Sequence, residues 1–132
     1  MSTKVTCFAA SSSRNSINKQ LVTYAAGLVE DAEVEVLDLN DYELPLFSVD
    51  REAELGQPQL AQDFLDKIQG SDALIIAFAE HNGCYSAAYK NLYDWASRIE
   101  AKVYKDKRIV LLATSPGGRG GQSVLELALA QI

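Results

Sequence analysis

Four short apolar runs, each followed by a segment of helical periodicity, constrain the fold of this chain more than any other feature of its sequence. The runs cover residues 4–10, 33–39, 73–79 and 108–114. The intervening segments place apolar side chains three and four residues apart; in a helix predicted over residues 59–69 these are Leu60, Phe64, Leu65 and Ile68. This alternation predicts an α/β fold, a parallel sheet with helices on both faces.

The hydrophobicity of each run predicts its place in the sheet. The first, third and fourth runs are apolar throughout, as expected of strands buried on both faces, whereas EVEVLDL alternates and is predicted at an edge. The resulting order, 2-1-3-4, is that of a flavodoxin-like three-layer sandwich. The fourth strand would then also form an edge, although it is apolar. We therefore expect that a fifth strand is missing through truncation or disorder, or that another subunit covers this edge, and we favour truncation.

Length and charge narrow the class of protein. A chain of 132 residues predicts a single domain over 1–132. Its net charge of −6 argues against a nucleic-acid partner. No apolar run approaches the ~18 residues of a membrane span, and no signal peptide is recognisable, so we expect a cytoplasmic protein without a membrane partner. With two cysteines and one histidine, His81, a disulfide framework or a metal site is not expected.

Three loops at the carboxyl ends of the first, third and fourth strands carry the polar groups. The first loop (residues 11–18, SSSRNSIN) combines hydroxyls, Arg14 and a helix start, which are the groups that bind a phosphate, or else form a well-capped helix. The second loop (residues 79–86) begins with a polar cluster, EHNG. The third loop (residues 114–122) holds four glycines, which allow close approach to a flat ligand.

These loops resemble those of the NADPH-dependent FMN reductase family, a flavodoxin-like group that includes azo-dye, quinone and chromate reductases. The family's first loop follows G-S-x-R-x-x-S-x-N; here Ser11, Ser16 and Asn18 match, Ser13 occupies the arginine position, and Arg14 follows it. Its second loop follows P-E-Y-N-G-S-x-P-G-x-L-K-N-x-x-D-W, matched by Glu80, Asn82, Gly83, Lys90, Asn91, Asp94 and Trp95, with His81 in place of tyrosine. Its third loop, S-x-G-G, is matched by residues 115–118.

The resemblance implies a binding site for FMN at these loops. Its phosphate would be bound by Ser11, Ser13, Arg14, Ser16, Ile17 and Asn18. Its ring would lie against Glu80, His81, Asn82 and Gly83, with Ser115, Pro116, Gly117 and Gly118 beside it. Because the flavin carries the chemistry, no catalytic residue is assigned.

The resemblance also implies the reaction and the assembly. NADPH would donate a hydride, and a small electron acceptor such as a quinone, an azo compound, free flavin or chromate would then be reduced. Arg119 is a candidate for the extra phosphate of NADPH. A homodimer or homotetramer is implied, and we expect the tyrosine stripe (Tyr85, Tyr89 and Tyr93) at its interface. The helical spacing of Lys90, Asn91, Asp94 and Trp95 instead indicates packing and loop bracing.

Two other functions stay open. A flavodoxin-like electron carrier would bind FMN without oxidising NADPH, and the acidic charge would suit docking to basic partners. A binding module without flavin is the second, because the chain departs from the family pattern at Ser13, His81 and Ser86. A hydrolase acting through serine and His81 has least support, because the chain has no G-x-S-x-G motif.

Overall fold

A computed structural model describes residues 2–132, and its strands form one parallel sheet. The strands are β1 (Thr3–Ala10), β2 (Ala32–Leu37), β3 (Ala73–Phe78) and β4 (Arg108–Ala113). They pair in the order β2-β1-β3-β4, and every pair is parallel. The predicted order 2-1-3-4 is therefore confirmed. β4 lies at an edge, and Val110 on it is 53% exposed.

Residues 2–132 also form five α-helices and one 3₁₀ helix, of which all but the last in the chain lie between strands. They are α1 (Ile17–Gly27), the 3₁₀ helix (Leu39–Tyr42), α2 (Val49–Leu55), α3 (Gln59–Gln69), α4 (Ala87–Ile99) and α5 (Gln122–Gln131). The sequence predicts a loop over residues 39–58, which is wrong where α2 forms. Ser48 caps α2 by accepting a hydrogen bond from the N–H of Arg51, and Asp50 and Glu52 lie in its first turn. The local acidity thus favours a helix start as well as a loop.

Helices cover both faces of the sheet and produce two apolar cores. On one face α1 packs Val22 against Cys7 and Ile75. On the other face α3, α4 and α5 enclose a larger core around Phe8, which meets Phe64 edge-on with ring centroids 5.5 Å apart. This is the three-layer arrangement predicted from the strand–helix alternation.

The sequence predicts a helix capped by Ser16 whose inward face carries Ile17, Leu21, Tyr24, Ala25 and Leu28. Leu21 and Ala25 are partly buried against the sheet, but the centre of the buried face differs. Ser16 caps the helix as predicted, but the residues buried against the sheet are Asn18, Val22 and Ala26. Tyr24 and Leu28, expected in the core, are 69% and 65% exposed. Because α1 itself carries apolar residues on several of its sides, the spacing of those residues does not determine which side faces the sheet.

The tyrosine stripe lies partly in the core. Tyr89 is 2% exposed, and its hydroxyl pairs with that of Tyr104 at 2.7 Å. Burial raises the pKa of both phenols above the ordinary value. Tyr85 and Tyr93 are partly buried on either side of Tyr89. The predicted interface role is therefore wrong for Tyr89.

No helix within residues 2–132 combines the length and the apolar character that crossing a membrane requires.

Candidate functional site

The three loops leave the sheet at the same level. In the strand register Ala10 pairs with Phe78, and Phe78 pairs with Ala113, so β1, β3 and β4 end side by side. The predicted site residues of all three loops are therefore brought to one edge of the sheet. The carboxyl edge of a parallel sheet, at the switch in strand order between β1 and β3, is where α/β proteins bind ligands.

The first loop has two buried serine hydroxyls, which hold its backbone in place, and exposed side chains that can reach a ligand. Ser11 is buried, and its Oγ accepts a hydrogen bond from the N–H of Ser13 at 3.1 Å. Ser16 is buried as well, and its Oγ accepts from the N–H of Lys19 at 3.2 Å. The side chains of Ser13 and Arg14 are exposed. Since the first N–H groups of a helix have no intrahelical acceptor, the loop offers a donor set suited to a phosphate.

Asn18 joins the first loop to the third. Its Nδ2 donates to the carbonyl of Thr114 at 3.1 Å, and its Oδ1 accepts from the N–H of Thr114 at 3.0 Å. Asn18 is 3% exposed, so both ends of its amide are used inside the protein. The neighbouring Ile17, the first residue of α1, is exposed. Asn18 therefore holds the loops together, whereas the groups around it face solvent.

The second loop contains a tight turn, His81–Cys84. The N–H of His81 donates to the carbonyl of Cys84 at 2.9 Å, and the reverse bond measures 3.1 Å. Both central residues have positive φ, 54° at Asn82 and 76° at Gly83, as in a type I′ turn. All four residues are exposed, and a Cβ at Gly83 would meet no atom within 4 Å. The Asn-Gly pair is therefore required by the turn, which leaves an open surface.

Glu80 and Ser86, at the two ends of this turn, are already engaged by other loops. Glu80 Oε1 accepts from the N–H of Val124 in α5 at 2.7 Å. Ser86 Oγ donates to the carbonyl of Ala10 at 2.8 Å and caps α4. Sequence reasoning missed this role of Ser86, although a serine directly before an amphipathic helix is an N-cap signal.

The glycines of the third loop have different requirements. Gly120 and Gly121 have φ of 60° and 85°. A Cβ on Gly121 would lie 2.9 Å from the Cβ of Ala113, whereas one on Gly118 or Gly120 would meet open space. Gly121 thus lets α5 start directly against β4. Ser115 Oγ accepts from the N–H of Gly117 at 3.3 Å, and Pro116 is exposed.

The exposed charges at this edge are mainly positive. Arg14 makes no ion pair within residues 2–132, and Arg119 donates only to the hydroxyl of Ser123 at 3.1 Å. Lys19 pairs with Asp38 at 3.1 Å. A backbone hydrogen bond from Asn40, together with Lys19, lowers the pKa of Asp38. The loops therefore favour an anionic ligand, although the whole chain is acidic.

The size of the cavities does not mark the site. A cavity of about 550 Å³ lies toward the amino-terminal end of β1 and is lined by Thr6, Ser71 and the ion pair Lys67–Glu35. Its lining includes no residue of the three loops. A groove of about 300 Å³ lies beside the first loop, between Ser12 and the start of α4. The three loops themselves form an open, shallow surface.

A further element borders this groove and is here called the strap (residues 43–49). Asn91 Oδ1 accepts from the N–H of Phe47 at 2.7 Å, and its Nδ2 donates to the carbonyls of Leu44 and Pro45. Trp95 Nε1 donates to the carbonyl of Pro45 at 2.8 Å. The bracing role predicted for Asn91 and Trp95 is confirmed.

Comparison with known proteins identifies relatives along nearly the whole chain. Residues 3–131 match the model of the NADPH-dependent FMN reductase family. An Arabidopsis thaliana NADPH:quinone oxidoreductase is 30% identical over 128 residues, which cover 94% of this chain and 64% of the relative. A Burkholderia 2-hydroxy-1,4-benzoquinone reductase is 33% identical over 122 residues, covering 91% and 64%.

A solved structure with the same fold is FerB, a flavoenzyme NAD(P)H:(acceptor) oxidoreductase from Paracoccus denitrificans. It is 27% identical with a TM-score of 0.79, and the match covers 98% of this chain and 70% of FerB. The chain thus spans about two-thirds of the length of several of the relatives that it matches.

Proposed function

Because the chain belongs to the NADPH-dependent FMN reductase family, we propose that it binds FMN at the three loops and passes electrons from NADPH to a small acceptor. The observation that carries this proposal is the meeting of a phosphate-type donor set and two open glycine-containing loops at one edge of the sheet. Quinones, azo compounds, free flavin and chromate are the candidate acceptors.

The residues of the first loop fit the phosphate of FMN. The loop carries the kinds of group that bind a dianion: hydroxyls, the N–H groups of a helix start, and the exposed Arg14, which makes no ion pair within residues 2–132. Ser13 and Arg14 would bind it directly, since both side chains are exposed. Ser11, Ser16 and Asn18 would hold the backbone N–H groups of the loop in place, because their side chains bond to Ser13, Lys19 and Thr114.

The second and third loops fit the flat ring. Open space adjoins Gly83 and Gly118, so a planar group can approach the backbone there. His81, Asn82, Gly83 and residues 115–118 would contact its polar edge, while Glu80 would position the loop. When bound, FMN supplies the acceptance of a hydride and the release of electrons to an acceptor. The protein contributes position, charge and an exposed face for nicotinamide and acceptor.

The proposal extends to assembly and location. A homodimer or homotetramer is supported by large apolar side chains left exposed on the strap and α2, of which Leu46, Val49 and Leu55 are examples. We also propose a cytoplasmic location, where the protein would have access to NADPH. Light scattering of the purified protein measures the assembly, and a monomer across the micromolar range would contradict it.

Titration with two flavins tests the site. Purified protein, freed of flavin, is titrated with FMN and with riboflavin, which lacks the phosphate, while the flavin fluorescence is followed. Arg14→Ala should weaken FMN binding about tenfold, the size expected for one charge-assisted contact, and leave riboflavin binding unchanged. Arg108→Ala, an exposed arginine at the opposite end of β4, is the matched control.

Three results would count against the proposal. A wild-type protein that binds neither flavin lacks the site. If Arg14→Ala weakened the binding of FMN and riboflavin equally, Arg14 in the first loop would not contact the phosphate. A bound flavin whose absorbance NADPH fails to bleach without air would indicate an electron carrier instead of a reductase.

A further inference from the structure

Three side chains connect the three loops in pairs. Asn18 joins the first loop to Thr114 of the third, and Ser86 joins the second loop to Ala10, the residue of β1 that directly precedes the first loop. Glu80 joins the second loop to α5, where the third loop ends. We infer that Asn18, Glu80 and Ser86 are positioning residues whose hydrogen bonds form a closed ring of crosslinks. This ring makes the three loops one cooperative binding unit for FMN, an inference that rests on the function proposed above.

The crosslinks act at the points where loops leave the sheet. Ala10 is the last residue of β1, and Thr114 follows the last residue of β4. Asn18 and Ser86 are 3% and 5% exposed, so water does not replace their bonds without local unfolding. Each bond therefore fixes the direction in which a loop leaves its strand.

Glu80 supplies a cap that α5 cannot supply for itself. The N-cap residue of α5 is Gly121, which has no side chain, and a Cβ there would clash with Ala113. The carboxylate of Glu80 reaches the N–H of Val124, the third residue of the helix, from the neighbouring loop. A negative group at a helix amino terminus is also favoured by the helix dipole. The second loop thus caps the helix that the third loop begins.

Closure of the ring has a consequence that three separate bonds would not have. When one crosslink is removed, every loop stays tied to the others through the remaining two. When two are removed, one loop is released, and its ordering must then accompany ligand binding. Variants in two crosslinks should therefore weaken binding by more than the product of the single effects.

Amide exchange of the flavin-free protein tests the crosslinks directly. In Glu80→Ala the N–H of Val124 should exchange with solvent at least about tenfold faster, because its acceptor is gone. Glu80→Gln keeps an oxygen acceptor and should restore slow exchange. Glu126→Gln, an exposed change on the same helix, is the control. Unchanged exchange of Val124 in Glu80→Ala would overturn the inference.

A double-mutant cycle on FMN binding tests closure. We expect Asn18→Ala and Glu80→Ala each to raise the Kd for FMN about threefold to tenfold, and the double variant to exceed the product of the two by about threefold or more. Glu80→Gln should bind FMN within about twofold of wild type, since it keeps the bond. If Asn18→Ala does not fold, Ser86→Ala replaces it in the cycle.

The two readouts separate the inference from the proposed function. Multiplicative effects on the Kd, or a Glu80→Gln variant as weak as Glu80→Ala, would overturn the ring while leaving FMN binding intact. A wild-type protein that does not bind FMN would refute the proposed function. The exchange of the Thr114 and Val124 amides would then still decide whether the crosslinks order the loops, and fast exchange there would overturn the ring as well.

Discussion

Replacing Asn91 with alanine removes every hydrogen bond between its side chain and the strap. The amide accepts from Phe47 and donates to two strap carbonyls, at distances from 2.7 to 3.2 Å. Each such bond contributes about 1 kcal/mol, and water can replace part of this because Asn91 is only half-buried. We therefore expect Asn91→Ala to lower the free energy of unfolding by about 1.5–3 kcal/mol.

Urea denaturation followed by tryptophan fluorescence measures this loss, because Trp95 packs edge-on against Phe47 of the strap with centroids 5.0 Å apart. Asn91→Asp keeps the acceptor for the N–H of Phe47 but places a carboxylate oxygen against the carbonyls of Leu44 and Pro45. We therefore expect this variant to be at least as destabilised as Asn91→Ala. Gln57→Ala serves as a control, since it removes a single exposed bond to the carbonyl of Arg98.

The bracing role would be refuted if Asn91→Ala lost less than about 0.5 kcal/mol, the range of ordinary surface changes. A second measurement locates the effect. Limited proteolysis should cut the strap faster in Asn91→Ala than in wild type, whereas Gln57→Ala should be cut at the wild-type rate. Equal cutting of all three proteins would mean that the side chain of Asn91 does not hold the strap.

Three further predictions concern glycine, thiol and carboxylate groups. Gly121→Ala should lower the free energy of unfolding by about 2–4 kcal/mol and Gly120→Ala by about 1–2 kcal/mol, because both glycines have positive φ but only a Cβ at Gly121 would clash. Equal losses of stability in urea denaturation would contradict this. An aromatic disulfide reagent at pH 8 should modify Cys84 at once and Cys7 only after unfolding, because burial raises the pKa of Cys7 to about 11; two fast thiols would contradict it. Asp38→Asn should reduce the loss of the free energy of unfolding at acid pH, because the lowered pKa of Asp38 contributes stability at neutral pH that is lost as pH falls through this pKa. The same acid dependence of stability in the variant and the wild type would contradict this.

The strand order was predictable because it depends on features that each segment carries alone. The apolar runs of β1 and β3 indicate strands buried on both faces, and the alternating run around Val34 indicates an edge. The rule is wrong for β4, which is equally apolar but lies at an edge with Val110 53% exposed. The helix starts at Ser16 and near Gln59 were likewise predicted from local signals. Such signals need no knowledge of distant parts of the chain.

The burial of α1 and the position of Tyr89 were not predictable in this way. An α1 with apolar residues on several sides can present more than one of them to the sheet, and only the neighbouring strands decide between them. The burial of Tyr89 depends on Tyr104, which lies 15 residues away and satisfies its hydroxyl. The spacing of apolar residues is a property of one helix, whereas the burial of a side chain depends also on the elements that pack against that helix.

In the candidate site, too, the type of a residue does not determine its role. A carboxylate directly after a buried strand is equally suited to contact a ligand and to cap a neighbouring helix, so the sequence around Glu80 does not separate these roles. The deciding feature is Gly121, 41 positions later, where a helix begins without a capping side chain. Because a glycine N-cap has no side-chain acceptor, the first N–H groups of the helix must bond to water or to another loop, and in a parallel sheet the adjacent loop is the nearest protein source. In this chain that loop supplies Glu80, whose carboxylate accepts from the N–H of Val124.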